Sequence, residues 1–256
     1  MKASLRFLSL VLAAASFYAC GPVLYSNVGQ NVPLLQEKGE FSGQVSYSAS
    51  SGAWSASGIG FQGAYAVSEK VGIISSFSSL WGSDDSPDYE WEGDGTYFEL
   101  GAGLFGGKQE NKFLYEGFVG IGSGSIRNTS LVNRSEFMNV KYLKPFLQPS
   151  IAFSTKYFEL AVTPRIAYLT YTSQDDFNFG PNPEQLNPQE YFDENHNTVV
   201  FEPGIMIRGG FPGAKLELQY NHSSLKEPLE GNSVINDDYF SIGLRFIIAG
   251  RTAPKE

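Results

Sequence analysis

Hydrophobic and polar residues alternate with a period of two along most of this chain, and ten stretches carry the pattern: 40–49, 53–67, 70–80, 96–107, 112–125, 139–153, 156–171, 197–210, 213–222 and 238–248. In the last of these, Phe240, Ile242, Leu244, Phe246 and Ile248 share one side while Ser241, Gly243 and Arg245 occupy most of the other. The connections fall into two sets. Tight ones lie at Ser68-Glu69, Gly107 to Asn111, Ser154-Thr155 and Gly210 to Pro212; longer ones span 81–95, 126–138, 172–196 and 223–237, and only Ser50 to Gly52 breaks the rule. Tight turns at one end and long loops at the other predict an all-β fold: an up-and-down antiparallel transmembrane barrel of about ten strands, with short periplasmic turns and long outer loops.

Alternation fixes two faces but not which of them points inward. Aromatics near strand ends suit interfacial girdles, and glycines on the polar face relieve crowding in a narrow lumen, so the apolar face is expected in lipid. The lumen then collects Glu99, Glu116, Lys144, Glu159, Arg165, Glu202, Arg208, Glu217 and Arg245. Both signs are present, which predicts a plug of paired charges rather than the single-sign ring of a solute pore. A water-soluble lipocalin-like barrel with the faces reversed is the alternative architecture. Pro145, Pro149, Pro164 and Pro203 fall inside strands, where each removes a ladder donor, and are expected to mark bulges or a poorly paired seam.

Composition fits a β shell: aromatics make up 14% of 256 residues and there are 28 glycines. Lys2 and Arg6 precede an apolar run from Phe7 to Ala15, too short to span a bilayer and shaped like a secretory signal. The single cysteine, Cys20, follows Phe17-Tyr18-Ala19, a run that resembles a bacterial lipobox and implies acylation of Cys20 as the mature N-terminus. The expected organisation is a signal peptide over 1–19, a lipidated tether over 20–39, a barrel over 40–248 and a tail over 249–256. Asn31-Val32-Pro33-Leu34-Leu35 and Lys38-Gly39-Glu40, set between that lipobox and the first strand, resemble the entry segment of small outer-membrane barrel lipoproteins of the Bacteroidota. This resemblance implies the outer membrane of a Gram-negative bacterium, with the lipid anchor on the periplasmic side.

The formal net charge of -9 is concentrated at the long-loop end, in Asp84, Asp85, Asp88, Glu90, Glu92 and Asp94 and again in Asp175, Asp176, Glu184, Glu190, Asp193 and Glu194. Beside Trp81, Tyr89, Trp91, Tyr191 and Phe192, such a rim suits a cation, a carbohydrate or a protein, and it repels nucleic acid. No cofactor or metal is expected. The two G-x-G-x-x-G matches, at Gly58 and Gly101, lie inside strands, and the run from Asp193 lacks the glycine and glutamate of a calcium loop. His222-Ser223-Ser224, followed by Leu225, Pro228 and Gly231, resembles the His-x-Ser stretch of the lipid A deacylases. That resemblance implies Ser224 as nucleophile, His222 as base and Asp237 or Asp238 as the orienting acid of a barrel hydrolase, although Leu225 stands where that family has asparagine. The reading that the sequence favours is a non-enzymatic structural or interaction protein that meets outer-membrane lipid along its wall and partners at its loops.

Overall fold

The computed structural model describes residues 23–52, 55–86, 89–108, 112–134, 137–173, 196–225 and 235–248. Two short strands, β1 (Tyr25–Ser26) and β11 (Ile235–Asn236), pair in parallel. The other ten are β2 (Phe41–Ser51), β3 (Ser55–Ala66), β4 (Val71–Ser86), β5 (Tyr89–Lys108), β6 (Phe113–Ser130), β7 (Phe137–Ser154), β8 (Phe158–Ser173), β9 (Asn197–Phe211), β10 (Ala214–His222) and β12 (Asp238–Ile248). Each pairs antiparallel with its sequence neighbours, and β12 closes the cylinder on β2 from Asp238↔Ser51 to Ile248↔Phe41. The expected ten-stranded antiparallel barrel is the fold observed.

The outward positions are apolar over a band that begins at the tight-turn end. On β6 they are Phe113, Tyr115, Gly117, Val119 and Ile121, followed by Ser123, Ser125 and Arg127. Nine tilted residues rise roughly 21 Å, close to the ~25 Å hydrocarbon-facing band of a membrane barrel. Beyond it the outward residues turn polar, with Asp94 and Thr96 on β5 and Asn139 and Lys141 on β7, while the inward ones turn apolar, with Ile126, Met138, Val140, Leu169 and Val200. Within the band the barrel obeys the rule for lipid surroundings, and above it the rule for water. This reversal within single strands is why 81–95 and 126–138 do not form the loops expected from the sequence. Strands β4 and β5 stay paired to Ser86↔Tyr89, and β6 and β7 to Thr129↔Phe137. Their acidic and serine-rich outward faces are those of strands in water, which hydropathy alone does not distinguish from loops.

The prolines act at a seam. Pairing of β7 with β8 is interrupted at 144–145 and 148–150, around Pro145 and Pro149, and the register slips between Lys141 and Tyr142. Pro164 faces Pro203 across the next ladder, so two positions that lack donors oppose each other.

The path of the chain before β2 differs from an external tether. Residues 23–35 are all buried, yet they belong to no barrel strand. Val23 bonds to Asn128 on β6 near the long-loop end, whereas Gly39 bonds to Ala66 at the tight-turn end. The segment therefore runs down the axis of the cylinder from one end to the other, and β2 then starts upward along the wall. The part of the expected tether at 20–22, with Cys20, lies outside the described residues, as do the signal segment and the tail 249–256.

Candidate functional site

The site is the barrel interior. All nine lumen charges named from the sequence are buried, and Lys215 joins them. Nine of them form two ion-paired groups, and Glu116 stands apart, bonded to the Leu34 N–H. Nearer the long-loop end, Arg165 bonds bidentately to Glu99 (3.0 and 3.3 Å) and to Gln148, and Lys144 lies 3.0 Å from Glu202. Nearer the tight turns, Glu217 is shared by Arg208 (2.5 Å) and Arg245 (3.0 Å), and Glu159 by Arg208 (3.2 Å) and Lys215 (2.5 Å). Arg245 also reaches Ser42, Gln44 and Gln62. Burying charge costs several kcal/mol per ion unless each is paired and hydrogen-bonded. Among the described residues six buried acids, Glu40, Glu99, Glu116, Glu159, Glu202 and Glu217, stand with five buried bases, Lys144, Arg165, Arg208, Lys215 and Arg245, and both ion-paired groups mix the two signs.

The axial segment runs past both charge groups: the Tyr25 side chain enters the first, and the Val32 carbonyl meets Arg208 of the second. Tyr25 donates its hydroxyl to Glu202 and accepts from Lys144 Nζ (3.0 Å), with its ring 5.7 Å from that of Tyr142. Val23, Leu24, Tyr25 and Val28 pack with Tyr97, Tyr142, Tyr171, Met138 and Val140 toward the long-loop end. Toward the tight turns, Leu35 packs with Ile74, Phe105 and Phe118, and Val32 and Leu34 with Leu114 and Met206.

The main chain of the segment is also held. Asn128 both accepts from Val23 N–H (2.8 Å) and donates to Val23 C=O (3.0 Å), and Gln219 does the same for Gln30 (3.0 and 2.7 Å). Gln148 donates to Asn31 C=O (2.7 Å), Asn221 to Val28 C=O (3.1 Å) and Arg208 to Val32 C=O, while Glu116 accepts from Leu34 N–H (2.9 Å). Leu34 takes this position with φ 56°, a left-handed conformation that a branched apolar residue adopts only under constraint from its surroundings. The sequence signal for the segment was present: from Gly21 to Gln36 the chain carries no charged residue. Hydropathy periodicity missed it because a strand enclosed on every side has no exposed face to alternate.

Where the segment leaves the cylinder at the tight-turn end, Glu40 accepts from Gln36 N–H (2.9 Å). Burial lifts its carboxyl from 4.5 to about 7, against the pull of the backbone donors at Gln36 and Glu37. At the opposite end, Asn27 N–H donates to Asn236 C=O (2.8 Å) and the Asn27 amide to Asp237 C=O (3.0 Å), tying the start of the segment to the connection before β12.

The serine and histidine candidates sit at the top of the outer wall. His222 Nδ1 lies 3.0 Å from Asp238 and 3.9 Å from Asp237, so of the two acids expected from the sequence Asp238 is the nearer partner. Asp238 is also the acceptor for Tyr220 (2.6 Å). Burial and the neighbouring Asp238 raise the Asp237 carboxyl above its usual range. Ser224 Oγ accepts from Phe201 N–H (2.9 Å), and Ser224 N–H donates back to Phe201 C=O (2.9 Å). Ser224 thus fastens the end of β10 to β9.

Of the acidic rim, Glu92 and Asp94 extend outward from β5, and Glu92 lies 3.8 Å from Arg134 in an exposed pair. The cluster from Asp175 to Glu194 lies outside the described residues. Among the described residues no group of three or more histidine, cysteine or acidic side chains could hold a metal ion.

An apolar outer wall around a charged interior defines a membrane-type β-barrel, closed by ten strands. No protein-family profile matches the chain, and no curated protein matches it. Its fold is similar to Ail, the attachment invasion locus protein of Yersinia pestis, at 12% identity, with 82% of this chain and 99% of that chain covered and a TM-score of 0.38. It is similar to the outer membrane protease OmpT of Escherichia coli at 12% identity, covering 82% and 94% with a TM-score of 0.45. The transport unit of the autotransporter AIDA-I from Escherichia coli is similar at 9% identity, covering 86% and 92% with a TM-score of 0.47.

Proposed function

We propose that this chain is an outer-membrane barrel of a Gram-negative bacterium whose lumen is plugged by its own residues 23–35, and that it acts as a structural or interaction protein through its long-loop end. The observation that carries the reading is the complete burial of that segment, tied to side chains of β6, β7, β9 and β10. Short connections suit the periplasmic end of a bacterial barrel, so the long-loop end faces outward and takes the cation, carbohydrate or protein partner at its acidic rim. The reading is non-enzymatic: Ser224 has a role in the fold, accepting from the Phe201 amide at the end of β9, and His222 pairs with Asp238.

The direction of the axial segment also moves the expected lipid. Cys20 precedes Val23 by three residues, a reach of about 10 Å, and Val23 is at the long-loop end. An acyl group on Cys20 would then start from the long-loop end of the barrel, whereas the sequence reading put the anchor on the periplasmic side. Palmitate labelling with a Cys20→Ser control, combined with protease treatment of intact cells, tests this placement.

Planar-bilayer recordings test the plug: the full chain is expected to be electrically silent and a chain lacking 23–35 to conduct. A steady conductance from the full chain refutes the reading.

A further inference from the structure

We infer that the barrel interior is a recognition site for an extended polypeptide strand, filled in cis by residues 23–35 and able to take the same strand in trans. The inference rests on the plug reading above and adds the class of ligand that the lumen is built to hold.

Three independent features support it. First, the wall reads main-chain groups: Asn128 and Gln219 each clasp both the N–H and the C=O of one residue, and Gln148, Asn221, Arg208 and Glu116 take single groups between and below them. A buried main chain has to be hydrogen-bonded by something, and here those partners are side chains of the wall rather than a neighbouring strand. Amides aimed at main-chain groups hold a backbone whatever side chains it carries.

Second, the wall is hollowed along the path of the strand. A Cβ on Gly72 would stand 2.6 Å from Leu35 Cδ1, and one on Gly204 would stand 3.0 Å from Gln30 Oε1 and 2.4 Å from Asn221 Oδ1. The strand is reciprocally narrow at Gly29, whose Cβ would stand 2.8 Å from the Tyr239 hydroxyl. Third, one side-chain pocket fixes the register. The Tyr25 ring and hydroxyl are received by Tyr142, Lys144 and Glu202, a phenol-specific set inside an otherwise apolar cluster. The ligand class is thus an uncharged extended segment with a tyrosine near its leading end, a glycine four residues later, amide side chains at the positions of Asn27, Gln30 and Asn31, and mostly apolar side chains elsewhere.

The test uses the full chain with a protease site inserted at the exposed Lys38-Gly39 turn, folded in detergent and then cut. A fluorescent synthetic peptide of residues 23–35 is expected to enter at one per barrel. A peptide N-methylated at Gln30 and Leu34, which lacks the donors for Gln219 and Glu116, is expected to bind at least tenfold more weakly, and a Ser26→Ala peptide, which loses a hydroxyl that has no hydrogen-bond partner among the described residues, within about threefold. As a second measurement, a chain beginning at Glu37 is refolded with and without the peptide, and the peptide is expected to raise the temperature at which the heat-modifiable band converts. Equal binding of the N-methylated peptide overturns the inference, as does absence of peptide uptake in both formats. If the chain lacking 23–35 conducts while no peptide binds, the inference falls and the plug reading stands; if the full chain itself conducts, the plug reading falls.

Discussion

Replacing Glu217 by glutamine removes the acceptor that two arginines share. In the native barrel Glu217 Oε2 takes Arg208 Nε at 2.5 Å and Arg245 Nε at 3.0 Å, and Gln44 Nε2 reaches its other oxygen at 3.0 Å. All three charged side chains are at most 1% exposed. After the substitution Arg208 keeps Glu159 and the Val32 carbonyl, but Arg245 is left with only neutral partners, Ser42, Gln44 and Gln62. Removing one partner of a buried pair typically costs about 3–5 kcal/mol, because a charge stays behind without compensation. The same change at Glu92, whose pair with Arg134 is 3.8 Å long and largely exposed, should cost under ~1 kcal/mol. Adding Arg245→Met to Glu217→Gln should recover part of the loss, so the two single effects will not sum. Guanidinium unfolding in one detergent, followed by gel mobility and tryptophan fluorescence, measures the native protein and the four variants, Arg245→Met alone included. If Glu217→Gln costs no more than Glu92→Gln, water reaches the arginines, and the reasoning from a dry, filled interior is refuted.

Three further outcomes follow from the same geometry. Glu40 has its carboxyl lifted from 4.5 to about 7, so between those values the folded state holds more protons than the unfolded one and stability falls as pH rises; Glu40→Gln should flatten the profile and add up to about 3 kcal/mol above pH 7, read by unfolding midpoints from pH 4 to 8. Gly204→Val should crowd Gln30 and Asn221 and displace the axial segment, giving measurable conductance, whereas Gly117→Ala, with open space at its outward Cβ position, should leave stability and conductance unchanged. Val119→Arg, within the apolar band, should cost roughly 2–4 kcal/mol when folding into liposomes is measured, and Ser125→Arg, two outward positions past Ile121, should be near neutral.

The parts of this fold that the sequence displays are those with one wet and one oily side. Strand β8 could be placed because Phe158, Val162, Ile166 and Tyr168 alternate with Glu159, Thr163 and Arg165, and the structure puts the first set outward and the second inward. The same logic marked the lumen charges, since a charged residue at an inward position interrupts nothing in the period. Partner choice was not readable in this way. That Glu217 serves two arginines on different strands depends on the stagger of β9, β10 and β12, which period-two patterning does not specify. The axial segment was illegible for the opposite reason: Asn27, Gln30 and Asn31 are buried as fully as Val28, Val32 and Leu35, so polarity along it carries no information about exposure. Its companion clue, sixteen residues without charge from Gly21 to Gln36, distinguishes an enclosed strand from a solvated linker only once a cylinder is known to surround it.

Enclosure of the first described residues by the wall bears on assembly. The edges that meet last in a sequential hairpin build-up are β2 and β12, and their eleven paired positions from Ser51 to Phe41 form the final zip of the cylinder. In the intact chain residues 23–35 are held at Gly39 to the tight-turn end, so while that edge is open they can lie along the axis without being drawn through a mouth. The wall is then laid around them like staves around a rod already standing in the cask, whereas a severed strand has only the mouths to enter by.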